Sequence, residues 1–192
     1  MRKITWLRTL IIFVVSLGLL GGAGGTSINA AAATVTPFGA QRFTHDHATY
    51  VITTKSAYYR NVWQDAIRAW NKTGAFKFEP GTKRNAQIDL DTDSRRQSAT
   101  MGDNVGVTQF WAEHNDLIAV VSTLNPELMS AFGYSHADKE HVAEHELGHA
   151  MGLNHNPSKD SVMYYRDRSV GIQKVDVLGV EERYHTPAGE SD

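Results

Sequence analysis

The stretch HELGHAMGLNH, His145 to His155, puts three histidines, a glutamate and two glycines into eleven residues. Residues four apart on an α-helix lie one above the other, so His145 and His149 can aim a ring nitrogen at one point. His141, one turn earlier, does not complete the set. It stands eight residues from His149, about 12 Å along a helix axis, whereas zinc to nitrogen bonds are about 2.0–2.1 Å. The third ligand has to come from chain that leaves the helix and folds back. Gly152 is placed for that turn, because glycine takes the left-handed backbone that ends a helix without a Cβ clash, and His155 follows three residues later. Three neutral imidazoles with one position left open are the donor set of a catalytic zinc, whereas a structural zinc is closed by a fourth protein ligand. Glu146 lies beside His145 and, pointing slightly off the metal axis, can take a proton from a water held there.

Working outward, SHADKEHVAEHELGHAMGL reads as one helix with a cap at or near Ser135 and its end at Gly152. Ser56 to Gly74 is amphipathic, with Tyr59, Val62, Trp63, Ala66, Ile67 and Trp70 at helical spacing, Ser56 as N-cap and Gly74 past the end. HATYVITT, FKF (Phe76 to Phe78), AQIDLD (Ala86 to Asp91), VGVTQFW (Val105 to Trp111) and LIAVVSTL (Leu117 to Leu124) read as strands. DTDSRRQSATMGDN is a polar loop, and VDVLGVEERYH a short closing helix carrying Val177, Val180 and Tyr184. Strand, helix, several strands and helices describe an α+β or α/β domain.

DSVMYY (Asp160 to Tyr165) follows the third histidine after a short loop, and with it the chain resembles the metzincin metalloproteases, most closely the matrixins. Met163 matches the methionine of the tight turn beneath the metal in that family. VDVLGVEERYH resembles the matrixin C-terminal helix, with Asp176, Gly179 and Tyr184 at matching positions. The resemblance spans most of residues 48–185. It implies a twisted mixed sheet of about five strands with an active-site helix, a Met-turn and a C-terminal helix. It further implies one catalytic Zn2+ held by His145, His149 and His155, Glu146 as general base, Met163 as the floor, and hydrolysis of peptide bonds. By the same resemblance, Val105 to Trp111 is the sheet edge along which an extended polypeptide substrate binds. Tyr165 stands two places after the turn methionine, where the related astacins and serralysins carry a tyrosine that reaches the zinc or the oxyanion. Matrixins usually have proline there, so packing in the pocket wall is the other reading. The sequence departs from the family at Asn156, where matrixins usually have Ser or Thr. Latency through a propeptide cysteine is excluded, since there is none, and the usual structural Zn2+ and Ca2+ segments are not evident.

The first thirty residues differ from the rest. MRKITWLR is basic, TLIIFVVSLGLL is apolar over about a dozen residues, and Ala30-x-Ala32 fits a signal-peptidase site. A membrane span needs roughly 18 apolar residues, and Gly18, Gly21 and Gly22 interrupt the run. The reading is a signal peptide over 1–32, a loose leader over 33–47, a catalytic domain over 48–186 and a tail over 187–192. It implies secretion, no lasting membrane association and a monomer. Removing Arg2, Lys3 and Arg8 takes the formal charge from −2 to −5, which leaves no basic field for nucleic acid. The lack of cysteine favours an exported bacterial protein.

DLDTDS (Asp89 to Ser94) begins like a calcium loop but has Ser94 and Thr100 where Gly and Glu are needed. His45, His47, His114, His136 and His185 show no ligand spacing. A catalytically silent zinc-binding or adhesion module is the alternative function. Glu146 speaks against it, because such a module needs the histidines and not the base.

Overall fold

The computed structural model describes the backbone of Thr9–Val14 and the residues 34–93, 101–166 and 169–192. The basic flank and the Ala30-x-Ala32 site of the expected signal peptide lie outside these, as does 94–100 of the polar loop.

Among the described residues six strands form one mixed sheet: β1 (Thr9–Val14), β2 (His47–Ile52), β3 (Lys77–Pro80), β4 (Ile88–Thr92), β5 (Gly106–Glu113) and β6 (Asp116–Leu124), in the order β1-β5-β6-β4-β2-β3. The pairs β2/β3, β2/β4 and β4/β6 are parallel, while β5 runs antiparallel to β6. All five strands read from the sequence are present, and the fold is the α+β arrangement expected. The sixth strand corrects one expectation, that of a free edge at β5. The apolar run taken for the middle of a signal peptide supplies β1, which pairs antiparallel with β5 from Thr9↔Ala112 to Val14↔Val107. The stretch Val105 to Trp111, read as a free sheet edge, therefore has a neighbour on its outer side. Paired backbone groups satisfy their hydrogen bonds, and an open edge invites such an addition.

Helix α1 (Ala57–Thr73) buries the six residues that its periodicity marks. Ser56 caps its first turn, accepting from the Tyr59 amide, and Gly74 ends it at φ +78°. A short helix α2 (Pro126–Ala131), capped by Asn125, was not legible as periodicity in six residues. Helix α3 (His136–Ala150) starts at Ser135, whose hydroxyl accepts from the Asp138 amide while the Asp138 carboxylate accepts from the Ser135 amide. Helix α4 (Lys174–His185) closes the domain. Helix α3 packs on α1 and against β5 and β6, and the Trp70 indole of α1 donates to the Glu144 carbonyl of α3 at 2.8 Å.

The expected leader is not loose. Thr36, Phe38 and Phe43 are buried, Phe38 bridges to Leu153, and the Thr36 amide donates to the Val175 carbonyl. The closing segment is tied in as well. Arg183 of α4 is fully buried, and its guanidinium donates to the carbonyls of Gly39, Thr186, Pro187 and Glu190. Four carbonyl partners are what makes a buried guanidinium tolerable. No helix among the described residues is long and apolar enough to cross a membrane.

Candidate metal centre

His145 and His149 stand one turn apart on α3, both buried, with ring centroids 4.7 Å apart. The helix ends behind them at Gly152, where φ is +100° and a Cβ would fall 2.5 Å from the Gln41 carbonyl oxygen. Only glycine meets both conditions. The chain then returns, and His155 brings its ring to 4.9 Å from that of His149 and 5.3 Å from that of His145. One ligand atom from each of the three lies within 4.8 Å of the others. His141 is not in the group.

The tautomers follow from the carbonyls behind the rings. Nδ1 of His145 is 2.7 Å from the Val162 carbonyl oxygen, and Nδ1 of His149 is 2.8 Å from that of Leu153. A carbonyl only accepts, so each neutral ring carries its proton on Nδ1 and turns the Nε2 lone pair inward. Nε2 of His149 sits 3.3 Å from Nε2 of His155. Two ligands of a tetrahedral ion at about 2.0–2.1 Å are themselves about 3.4 Å apart. The donor set, its orientation and this spacing fit a zinc ion.

Met163 lies against α3 at Gly148, which stands between the two helix histidines in the chain. It is fully buried against Gly148, where a Cβ would meet its sulfur at 2.3 Å, so the turn can rise to this depth only under a glycine. The turn is held from α4. Buried Asp176 accepts from the hydroxyls of Thr36 (2.6 Å) and Ser161 and from the amides of Val162 (3.0 Å) and Gln173 (2.9 Å). Val162 in turn presents its carbonyl to His145, so the first turn of α4 reaches the His145 ring through a single residue. Asn156 is buried too, and its side-chain amide donates to the Thr34 carbonyl and the Thr36 hydroxyl.

With the three histidines, the methionine turn and the helix that holds it in place, the family model described as Matrixin matches residues 40–185. The chain belongs to the matrixin family. Its members are zinc metalloendopeptidases. Among the curated relatives are two Arabidopsis thaliana proteins, Metalloendoproteinase 4-MMP (43% identical over 53 residues, 26% of this chain and 16% of that protein) and Metalloendoproteinase 5-MMP (39% over 51 residues, 24% and 14%). The matched stretch is thus under a fifth of either relative's length.

Glu146 of this matrixin is fully buried, and its carboxylate lies against β5. The Tyr165 ring stands 6.3 Å from that of His155, partly exposed, with the Arg166 guanidinium over it. Glu144, which the sequence did not single out, is buried one residue before His145. Burial, then the neighbouring Glu140 charge, push its carboxyl up to about 8, against a hydrogen bond from the Ile172 amide. Among the described residues a second group of donors converges, Asp65, His136 and Glu140. It lies on the outer side of α1 and α3, where Asp65 also pairs with Arg68 and His136 meets the Tyr58 hydroxyl at 3.1 Å.

Proposed function

We propose that this matrixin is a secreted endopeptidase in which His145, His149 and His155 hold one catalytic zinc and Glu146 moves the proton. Zinc at that point supplies Lewis acidity to the attacking water and to the scissile carbonyl. Glu146 accepts the proton of the attacking water and delivers it to the leaving amine. Its burial supports the role. A carboxylate without exposure is costly to place, and a module that only binds zinc has no use for it. Met163 forms the floor that keeps the rings at their spacing. Tyr165, beside His155, either donates to the developing oxyanion or lines the pocket.

The polypeptide substrate lies extended along the outer edge of β5, as an added strand. In the uncleaved chain Thr9–Val14 takes that place. Export with cleavage after Ala32 removes this occupant, so one step both releases the protein and opens its cleft. The single observation that carries the reading is the convergence of the three rings, with the Nδ1 protons of His145 and His149 turned to carbonyls. Incubation of purified protein with a mixed peptide library tests it. Cleavage that stops with a zinc chelator and returns on adding zinc is the expected result. A protein that binds one zinc and cleaves nothing is the silent module instead.

A further inference from the structure

We infer that Thr108 of β5 is the positioning residue for the Glu146 carboxylate, an inference that rests on the general-base role proposed above. The Glu146 side chain lies across β5 at Gly106, where an added Cβ would meet Oε1 at 2.4 Å and Cγ and Cδ at 2.8 Å. Two residues further on the same face of the strand, the Thr108 hydroxyl sits 2.7 Å from Glu146 Oε2. Positions 106 and 108 thus form a seat, bare backbone under one carboxylate oxygen and a hydroxyl at the other.

The direction of that hydrogen bond follows from proton counting. Thr108 Oγ1 has one proton and three neighbours: Glu146 Oε2 at 2.7 Å, the Glu146 carbonyl oxygen at 3.1 Å and the Ser122 hydroxyl at 2.9 Å. Ser122 is the cross-strand partner of Thr108 on β6. The two oxygens of Glu146 can only accept, and Ser122 can donate. Ser122 therefore donates to Thr108, and the single Thr108 proton goes to Oε2, the nearest acceptor and the charged one. Both hydroxyls are fully buried, so no water competes for the arrangement.

The consequence is geometric. The main chain of β5 offers its outer edge to the extended peptide, and the side chains of the same strand hold the base. One rigid element thus sets the distance from the scissile bond to the carboxylate, and misplacement on the order of 1 Å can cost about 10²-fold in rate.

Thr108→Val keeps the shape and the β-branch and removes the proton, and Thr108→Ala removes both. We expect each to lower kcat by roughly 10- to 100-fold, with KM within about twofold and one zinc per chain retained. Thr108→Ser keeps the proton and should return kcat to within about threefold of the parent. The readouts are steady-state kinetics on a peptide from the library screen and metal content by mass spectrometry, on the form of the chain that is active as wild type. Wild-type kcat in both Val and Ala variants overturns the inference, as does a Ser variant as slow as Val. If Val fails to fold, the Ala and Ser pair decides alone. Glu146→Gln is run beside them. Turnover retained there removes the general-base role itself, whereas an inactive Glu146→Gln with a fully active Thr108→Val removes only the seat.

Discussion

Glu144 makes stability depend on pH with a sign opposite to that of most carboxylates. Its folded-state value is raised from 4.5 to about 8 by burial first and then by the Glu140 and Asp176 charges. Below about pH 4.5 the group is protonated in the folded and unfolded chains alike and contributes no difference. Between 4.5 and 8 the unfolded chain releases the proton and the folded chain keeps it, so stability falls by about 1.4 kcal/mol per pH unit and levels off above 8. At pH 7 the accumulated loss is about 3 kcal/mol, and at pH 5 about 1 kcal/mol. Glutamine mimics the protonated acid, and its carbonyl can still accept from the Ile172 amide. Glu144→Gln should therefore be more stable than the parent by those amounts. Urea unfolding of both proteins at the two pH values, in the same chelator so that histidine protonation is common to both, gives the difference. An advantage that does not change with pH, or a variant less stable than the parent at pH 7, refutes the reasoning.

Asp176→Asn leaves one oxygen to accept what four donors now give, so it should lose about 3–5 kcal/mol of stability and bind zinc more weakly in chelator competition. A chain beginning at Ala33 should exceed the uncleaved chain in kcat/KM by roughly tenfold or more, because an intramolecular strand no longer competes for β5. Equal values would show that Thr9–Val14 does not obstruct the cleft. Tyr165→Phe should lower kcat by roughly 10²-fold with KM little changed if the hydroxyl donates to the oxyanion. An unchanged kcat with altered side-chain preference would place Tyr165 in the pocket wall.

The features legible in the sequence are those whose partners are near in the chain. The buried face of α1 follows from its 3.6-residue period, the caps at Ser56 and Ser135 from residue type, and the pairing of His145 with His149 from one helical turn. What escaped depends on distant chain. Thr108 meets Glu146 across 38 residues, Thr36 meets Asp176 across 140, and Asn156 meets Thr34 across 122. No local pattern marks any of them. The leader read as loose because it has no periodicity, yet Phe38 and Phe43 fill the core. The burial of Arg183 has no local signal, because the carbonyls that receive it come from Gly39 and from the segment after α4. Glu144 is buried because the chain at 171–172 passes over it, with the Ile172 amide on its carboxylate. The outer neighbour of β5 could not be read from an apolar run that has another full explanation.

The central claim is that three histidines hold the metal and one glutamate works beside it without binding it. Glu146→Ala tests it most directly, with metal content and peptide hydrolysis measured on the same preparation. The account predicts one zinc per chain, as in the parent, and no detectable turnover. Turnover near that of the parent with zinc in place would contradict it.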